Sequence, residues 1–136
     1  MRRFATYGLL GWCAEVVFTA VGEYAQTRDA RLTGHTSLWM FPIYGLMAPL
    51  YEPLHDALRD RAPAPARAAA YAAGFLVIEY ASGRVLRGLV GDAPWDYSHA
   101  RVNLHGLIRA DYAPVWAAAG LAMEQVHDRL DAAAAA

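Results

Sequence analysis

Four long apolar segments that are almost free of charge constrain this chain more than any other feature of its sequence. Each segment holds at most one formal charge: Glu15 within 4–22, none within 32–51, Glu79 within 68–83 and Glu124 within 112–127. Because about 20 apolar residues are needed to span a bilayer, the pattern predicts an all-α fold, a single integral membrane domain spanning 1–136. The modest mean hydropathy keeps a soluble bundle open as an alternative.

The predicted architecture is a four-transmembrane-helix bundle made of two tandem helical hairpins. Its helices are expected at 4–25, 37–58, 66–88 and 110–131. Pro49 inside the second helix predicts a kink one turn before Glu52, because proline cannot donate a backbone hydrogen bond. A non-periodic connection, 89–108, joins the last two helices. It is too aromatic for disorder, so we expect an ordered lid loop that dips toward the membrane.

A seven-residue pattern occurs twice in the chain. Glu-x-x-His-Asp-x-Leu stands at 52–58 and again at 124–130, and each copy closes an apolar segment. A lone mid-helix glutamate, Glu15 or Glu79, comes one segment earlier in each half. Residues three apart lie on one face of a helix, so the glutamate and histidine of each copy are expected to point the same way. The repeat indicates that the chain consists of two tandem halves with the same sequence pattern.

This order of ligands, Glu, Glu-x-x-His, Glu and Glu-x-x-His, matches the carboxylate set of di-iron four-helix bundles. One hypothesis is therefore a membrane-embedded oxidoreductase with a dinuclear iron or manganese cofactor, acting on a lipid-soluble substrate. Its metal ligands would be Glu15, Glu52, His55, Glu79, Glu124 and His127. The histidines have a simpler interpretation as interfacial cations near helix C-termini. Whether the chain is an enzyme stays open at this point.

The glutamates have two further interpretations. Intramembrane carboxylates commonly line proton or cation paths, so Glu15 and Glu79 would serve a binding or permease-like role for a small solute, cation or lipid. Alternatively, they hydrogen-bond between helices of a structural or assembly subunit. Glu23 follows Glu15 by the same eight residues that separate Arg87 from Glu79, which predicts an ion pair between Glu23 and Arg87. Arginine pairing alone looks insufficient for all the glutamates, because the arginines nearest the spans lie toward the lid: Arg84, Arg87 and Arg109.

The composition argues against several classes of protein and indicates which partners to expect. All twelve basic residues are arginines, and thirteen acids bring the net charge to −1, so no nucleic-acid surface is indicated. Cys13 is the only cysteine, which excludes an internal disulfide and a cysteine-based zinc site. The expected partners are the lipid bilayer and either another membrane protein or a second copy of this chain. If Arg84 and Arg87 are buried partners, the remaining arginines put the termini in the cytoplasm.

Four short motifs make the chain similar to a known family: Gly-Trp-Cys-Ala-Glu at 11–15, Pro-Ile-Tyr-Gly at 42–45, Glu-Tyr-Ala-Ser-Gly at 79–83 and Trp-Asp-Tyr-Ser at 95–98. With them the chain resembles the ABC-transporter type IV membrane proteins, also called CmpB-like, and their vertebrate small transmembrane relatives. The resemblance spans nearly the whole chain and implies a polytopic protein of the cell membrane. It marks Glu15, Gly34, Pro42, Tyr44, Gly45, Glu79, Gly83, Trp95, Asp96, Tyr97, Ser98, Asn103, Gly106 and Trp116.

The repeat and the resemblance together predict a set of binding residues: Glu15, Glu23, Glu79, Arg87, Trp95, Asp96, Tyr97 and Asn103. The chain has no Gly-x-x-x-x-Gly-Lys phosphate loop, so an ATPase that works with it would be a separate chain.

Overall fold

Helices account for most of the structure, a computed structural model that describes residues 1–135, and the all-α prediction is confirmed. The chain divides into two compact units. Unit 1 is Met1–Leu50, and unit 2 begins at Tyr51. The division falls inside the predicted second helix, so the sequence expectation of one domain of paired hairpins stays a prediction.

Unit 1 consists of a long helix, α1 (Arg2–Thr27), and a short one, α2 (Met40–Gly45). The helix α1 ends at Arg28, whose backbone is left-handed and donates to the Tyr24 carbonyl. The two helices approach closely because glycine stands at their contact. A Cβ built at Gly11 would lie 2.3 Å from the Tyr44 ring. Tyr44 is therefore held directly against α1.

Three helices form the framework of unit 2: α3 (Glu52–Leu58), α4 (Ala64–Val90) and α5 (Ala113–Ala135). The helices α4 and α5 pack together at Gly120, where a Cβ would lie 2.4 Å from the Tyr71 side chain. Tyr71 is 1% exposed, which makes it part of the core of this unit.

A π-helical turn, Met47–Tyr51, separates α2 from α3. The predicted continuous helix 37–58 is thus two short helices with a wider turn between them. The physical reason is proline: neither Pro49 nor Pro53 can donate to the helical ladder, and π-helical hydrogen bonding interrupts the α-helix at this point. A kink near Pro49 stays a prediction.

The segment predicted as a lid, 89–108, is ordered and carries a small antiparallel hairpin. Its strands are β1 (Asn103–Leu104) and β2 (Ile108–Arg109), followed by one turn of 3-10 helix. Leu107 in the hairpin turn is fully buried, and its carbonyl accepts a 2.9 Å hydrogen bond from the Trp95 indole nitrogen. The segment is therefore packed onto its own unit. Its approach to a membrane stays a prediction.

One helix among residues 1–135, α1, is long and apolar enough to cross a membrane by length and composition. Only 17% of its most apolar window is buried in the structure, whereas the core helix of a soluble protein would be mostly buried. Val17 and Val21 are among its exposed apolar side chains. An apolar helix near an N-terminus also fits a signal sequence, so the bundle of four spans stays a prediction.

Candidate functional site

The two copies of the Glu-x-x-His-Asp repeat come together in unit 2. The first copy is on α3 and the second on α5, and their histidine rings lie 4.5 Å apart between centroids at an angle of 66°. Each histidine faces the glutamate and the aspartate of the opposite copy. We call this group the crossed-repeat cluster; its members are Glu52, His55, Asp56, Glu124, His127 and Asp128.

His55 is 2% exposed and lies against the second copy. Its Nδ1 is 3.2 Å from the Tyr71 hydroxyl and 3.9 Å from Glu124 Oε1. Its Nε2 is 3.5 Å from Asp128 Oδ1. The two ring nitrogens thus have different surroundings: a phenol and a glutamate on one side, an aspartate on the other.

His127 repeats this arrangement toward the first copy and is 3% exposed. Its Nδ1 is 3.4 Å from Glu52 Oε1. Its Nε2 is 3.2 Å from Asp56 Oδ1 and also 3.2 Å from Asp131 Oδ2, one turn further along α5. Both histidines therefore turn Nδ1 toward a glutamate and Nε2 toward aspartates.

Glu124 is a buried carboxylate with two arginine partners. Arg59 donates to Oε2 at 2.7 Å, and Arg67 donates to Oε1 at 2.6 Å. The Tyr71 hydroxyl donates to Oε1 at 2.9 Å. Arg59 also reaches Asp128 at 2.8 Å, which ties the end of α3 to α5. The carboxylate is therefore charge-compensated, as a buried ion must be to remain ionised at low cost.

Sequence reasoning missed Arg59 and Arg67 as partners of Glu124, because it sought arginines only toward the lid. Both arginines flank the proline-containing connection between α3 and α4, and that connection brings them to the second repeat. A signal was available in the sequence. Arg59 follows Asp56 by three residues, so it extends the face of α3 that carries the repeat.

Glu79 lies in the middle of α4, about 12 Å along the helix from Tyr71 by the rise of an α-helix. The Tyr97 hydroxyl donates to Glu79 Oε1 at 2.9 Å. The Arg109 guanidinium is 5.9 Å from the centroid of the Tyr97 ring and 4.3 Å from that of Tyr112. The lid segment thus delivers a tyrosine to the mid-helix carboxylate, and an arginine lies against that tyrosine.

The predicted binding residues Asp96 and Asn103 maintain the shape of the lid segment. Asp96 accepts hydrogen bonds from the backbone nitrogen of Ser98 at 2.9 Å and from its hydroxyl at 2.8 Å. These two donors hold the pKa of the Asp96 carboxyl below its usual range. Asn103 Oδ1 accepts from the Gly106 nitrogen at 2.9 Å. A φ of 67° and the nearby Asp96 carboxylate explain why glycine stands at 106.

Arg87 and Glu23 belong to different units. Arg87 donates to the His105 carbonyl at 2.7 Å and approaches Asp92 at 3.8 Å. The ion pair predicted between Glu23 and Arg87 stays a prediction. Glu23 lies at a polar cleft of about 430 Å³ in unit 1, together with Asp29, Arg31, Thr33 and His35.

Glu15 occupies the middle of α1. Its carboxylate accepts a hydrogen bond from Tyr44, the residue that packs on Gly11. Its Oε2 atom is buried, and no hydrogen-bond partner for it is found within residues 1–135. The Thr36 hydroxyl lies near the carboxylate but is itself buried outside hydrogen-bond geometry. Two polar atoms close together thus lack a direct partner.

Five of the six predicted metal ligands lie in unit 2. Four of them, Glu52, His55, Glu124 and His127, meet in the crossed-repeat cluster. Glu79 contacts the lid instead, and Glu15 belongs to unit 1. The sequence did not single out Asp56, Asp128 or Asp131 as contributors, although the first two are part of the repeat itself.

Comparison with known proteins agrees with the resemblance seen in the motifs. No solved structure significantly matches the chain. The family model described as "Putative ABC-transporter type IV" matches residues 3–134, nearly the whole chain. The family description and the apolar helix α1 both indicate a membrane setting. The chain therefore belongs to the ABC-transporter type IV family.

Proposed function

We propose that this chain is an integral membrane protein of four spans that binds or conducts a small solute, cation or lipid at the carboxylates Glu15 and Glu79. One observation carries the proposal. In each unit, a mid-helix glutamate accepts a hydrogen bond from a tyrosine on a neighbouring segment, Tyr44 in unit 1 and Tyr97 in unit 2. All four residues belong to the motifs that carry the family resemblance.

The charge of the two glutamates would be costly inside a membrane. An ionised carboxylate near a bilayer centre costs about 3 kcal/mol on insertion scales. A phenol returns between half of this cost and all of it, because a hydrogen bond to a charged group is worth about 1.5–3 kcal/mol. A shared proton or a bound cation would supply the remainder. Glu15 illustrates this need, because residues 1–135 supply no hydrogen-bond partner to its buried Oε2 atom.

The lid segment supports the same proposal in unit 2. Asp96 and Asn103 stabilise its turns, and Trp95 anchors it to the Leu107 carbonyl. Among the predicted lid residues, Tyr97 donates a hydrogen bond to the Glu79 carboxylate. Movement of this segment would expose Glu79, so the lid provides a route for access. Arg84 is exposed, and Arg59 and Arg67 on the terminal side are themselves engaged by Glu124, so the cytoplasmic orientation of the termini stays a prediction.

The contacts of Glu124 favour this proposal over the dinuclear iron or manganese oxidoreductase. Two guanidinium groups already compensate Glu124, and a carboxylate engaged in this way is a poor bridging ligand. The remaining alternative is a structural subunit of a membrane complex, in which the glutamates only link helices. A flux measurement separates that alternative from the proposal.

The test uses the full chain reconstituted in liposomes that contain a pH-sensitive dye, with an imposed gradient of protons, Na⁺ or K⁺. We expect flux above that of protein-free vesicles, lost in Glu79→Gln and in Glu15→Gln. Asp92→Asn, an acid-to-amide change at an exposed lid-side residue, is the matched control. Native mass spectrometry of the same variants would detect a co-purified lipid or solute. Well-folded Glu→Gln variants that match the wild type in both measurements would contradict the proposal.

A further inference from the structure

We infer that His55, Asp56 and His127 form a mononuclear site for a divalent transition metal, with Zn²⁺ the best-matched ion. This site is separate from the proposed carboxylates Glu15 and Glu79 and does not depend on them. One ligand atom from each of the three residues lies within 4.8 Å of the other two. Two imidazoles and one carboxylate are a ligand set of catalytic zinc sites and of non-haem iron(II) sites, and Zn²⁺ is the redox-inert probe of the two.

The orientation of the histidines is the strongest support. A histidine that binds a metal through one ring nitrogen usually donates its other N–H to a carboxylate or carbonyl. Here Nδ1 of His127 lies 3.4 Å from Glu52, and Nδ1 of His55 lies 3.2 Å from the Tyr71 hydroxyl and 3.9 Å from Glu124. These groups hold both rings so that Nε2 points to the aspartates. Glu52 and Tyr71 thus act as orienting groups and the histidines as ligands.

The surroundings of His127 Nε2 provide a second argument. Asp56 and Asp131 both place an oxygen 3.2 Å from this one nitrogen. A single N–H points along one direction and can donate well to only one of two carboxylates. A cation between the nitrogen and the carboxylates would satisfy both. Asp131 is therefore a candidate fourth ligand, one helical turn from His127.

The charge balance also favours a dication. Five carboxylates surround the two histidines, and two guanidinium groups, from Arg59 and Arg67, face them. With neutral imidazoles the group carries three excess negative charges. The carboxylates are Glu52, Asp56, Glu124, Asp128 and Asp131.

Coordination requires a small contraction. Zn–N distances of about 2.0–2.1 Å place tetrahedral ligand atoms about 3.4 Å apart, closer than the 4.8 Å limit of the present group. Asp56 can supply this movement because its side chain is 66% exposed. The bound ion would join the end of α3 to the second half of α5, so it would also stabilise unit 2 by mass action.

The test uses the full chain without a histidine tag, stripped with EDTA, dialysed and titrated with Zn²⁺ by calorimetry in detergent. We expect about one Zn²⁺ per chain, a Tm that rises with Zn²⁺, and a Co²⁺ absorption spectrum typical of tetrahedral nitrogen and oxygen ligands. Asp56→Asn should weaken binding about 10-fold or more, and His127→Gln should abolish it. His99→Gln and Asp92→Asn, which change exposed residues outside the cluster, are the matched controls.

Two results would overturn the inference. The first is no saturable Zn²⁺ binding by the folded wild type, which would leave the cluster as a network of histidines and carboxylates that links α3 to α5. The second is equal affinity in Asp56→Asn and the controls. Asp56→Asn is the decisive variant because its exposed side chain can change without disturbing the core, as circular dichroism would verify. These readouts measure binding alone, so they remain informative whatever the flux assay shows.

Discussion

Glu79 and Glu124 are each the lone charge of an apolar segment in unit 2, 68–83 and 112–127, yet the structure gives them opposite surroundings. Two arginines and a tyrosine compensate Glu124 at 2.6–2.9 Å. Glu79 accepts a hydrogen bond from a neutral phenol carried by the lid. The position of a carboxylate within an apolar segment therefore does not predict which partners it has. Cationic partners compensate the charge of Glu124, and Glu79 is a carboxylate at which we propose binding.

The largest effect should follow from removal of the Glu124 carboxylate. Glu124→Ala leaves the buried parts of Arg59 and Arg67 without their carboxylate, and removing one partner of a buried pair typically costs about 3–5 kcal/mol. We expect a free energy of unfolding lower by about that amount, measured by denaturant titration in detergent. Glu23→Ala, at an exposed position, should change it little. A loss below about 1 kcal/mol for Glu124→Ala would contradict the assignment of Glu124 as structural.

The second-largest effect should come from the packing of Gly120 on Tyr71, beside Glu124. In Gly120→Ala the new methyl group would meet Tyr71, whose hydroxyl donates to Glu124, at 2.4 Å. Overpacking of this kind costs about 1–3 kcal/mol. Gly88→Ala is the matched control in a helix, since a Cβ at 88 meets nothing within 4 Å. We expect thermal unfolding to separate the two variants, with Gly88→Ala slightly stabilised. Equal Tm values would show that α4 and α5 do not pack as described.

A smaller effect is expected when the hydrogen bond to Glu79 is removed. Tyr97→Phe removes one hydrogen bond to Glu79, which is worth about 0.5–1.5 kcal/mol when the glutamate holds a proton, as proposed above. The loss should appear as faster amide hydrogen exchange in the lid, with the helices around Glu124 unchanged. Tyr24→Phe is the control at an exposed tyrosine. Unchanged lid protection would mean that the Tyr97 contact does not hold the segment in place.

The smallest effect concerns pH. Ser98 holds the pKa of Asp96 below its usual range, so the folded lid favours the ionised carboxylate. Its contribution is fully present above the unfolded pKa and is lost as the pH falls through the lower folded pKa. We expect lid protection in hydrogen exchange to fall in that acid range, and Asp96→Asn to remove the pH dependence. A pH profile shared by both proteins would assign the transition to another group.

The sequence by itself determined the helical class, the family and the approximate helix positions. The predicted ranges 4–25, 66–88 and 110–131 lie close to the observed Arg2–Thr27, Ala64–Val90 and Ala113–Ala135. Apolar runs, glycine and proline are local signals, and a helix depends on neighbours three and four residues away. The shared face of Glu52 and His55 could be read for the same reason.

Only the tertiary structure decided which groups meet across helices. It turned each repeat's histidine toward the opposite copy, brought Arg59 and Arg67 to Glu124, and placed Tyr97 on Glu79. These contacts join residues far apart in sequence, and their partners depend on how deep each helix sits and how it is rotated. Helical periodicity specifies the face of a side chain. It does not specify what that face meets, and the partner decides whether a buried carboxylate supports the fold or carries the function.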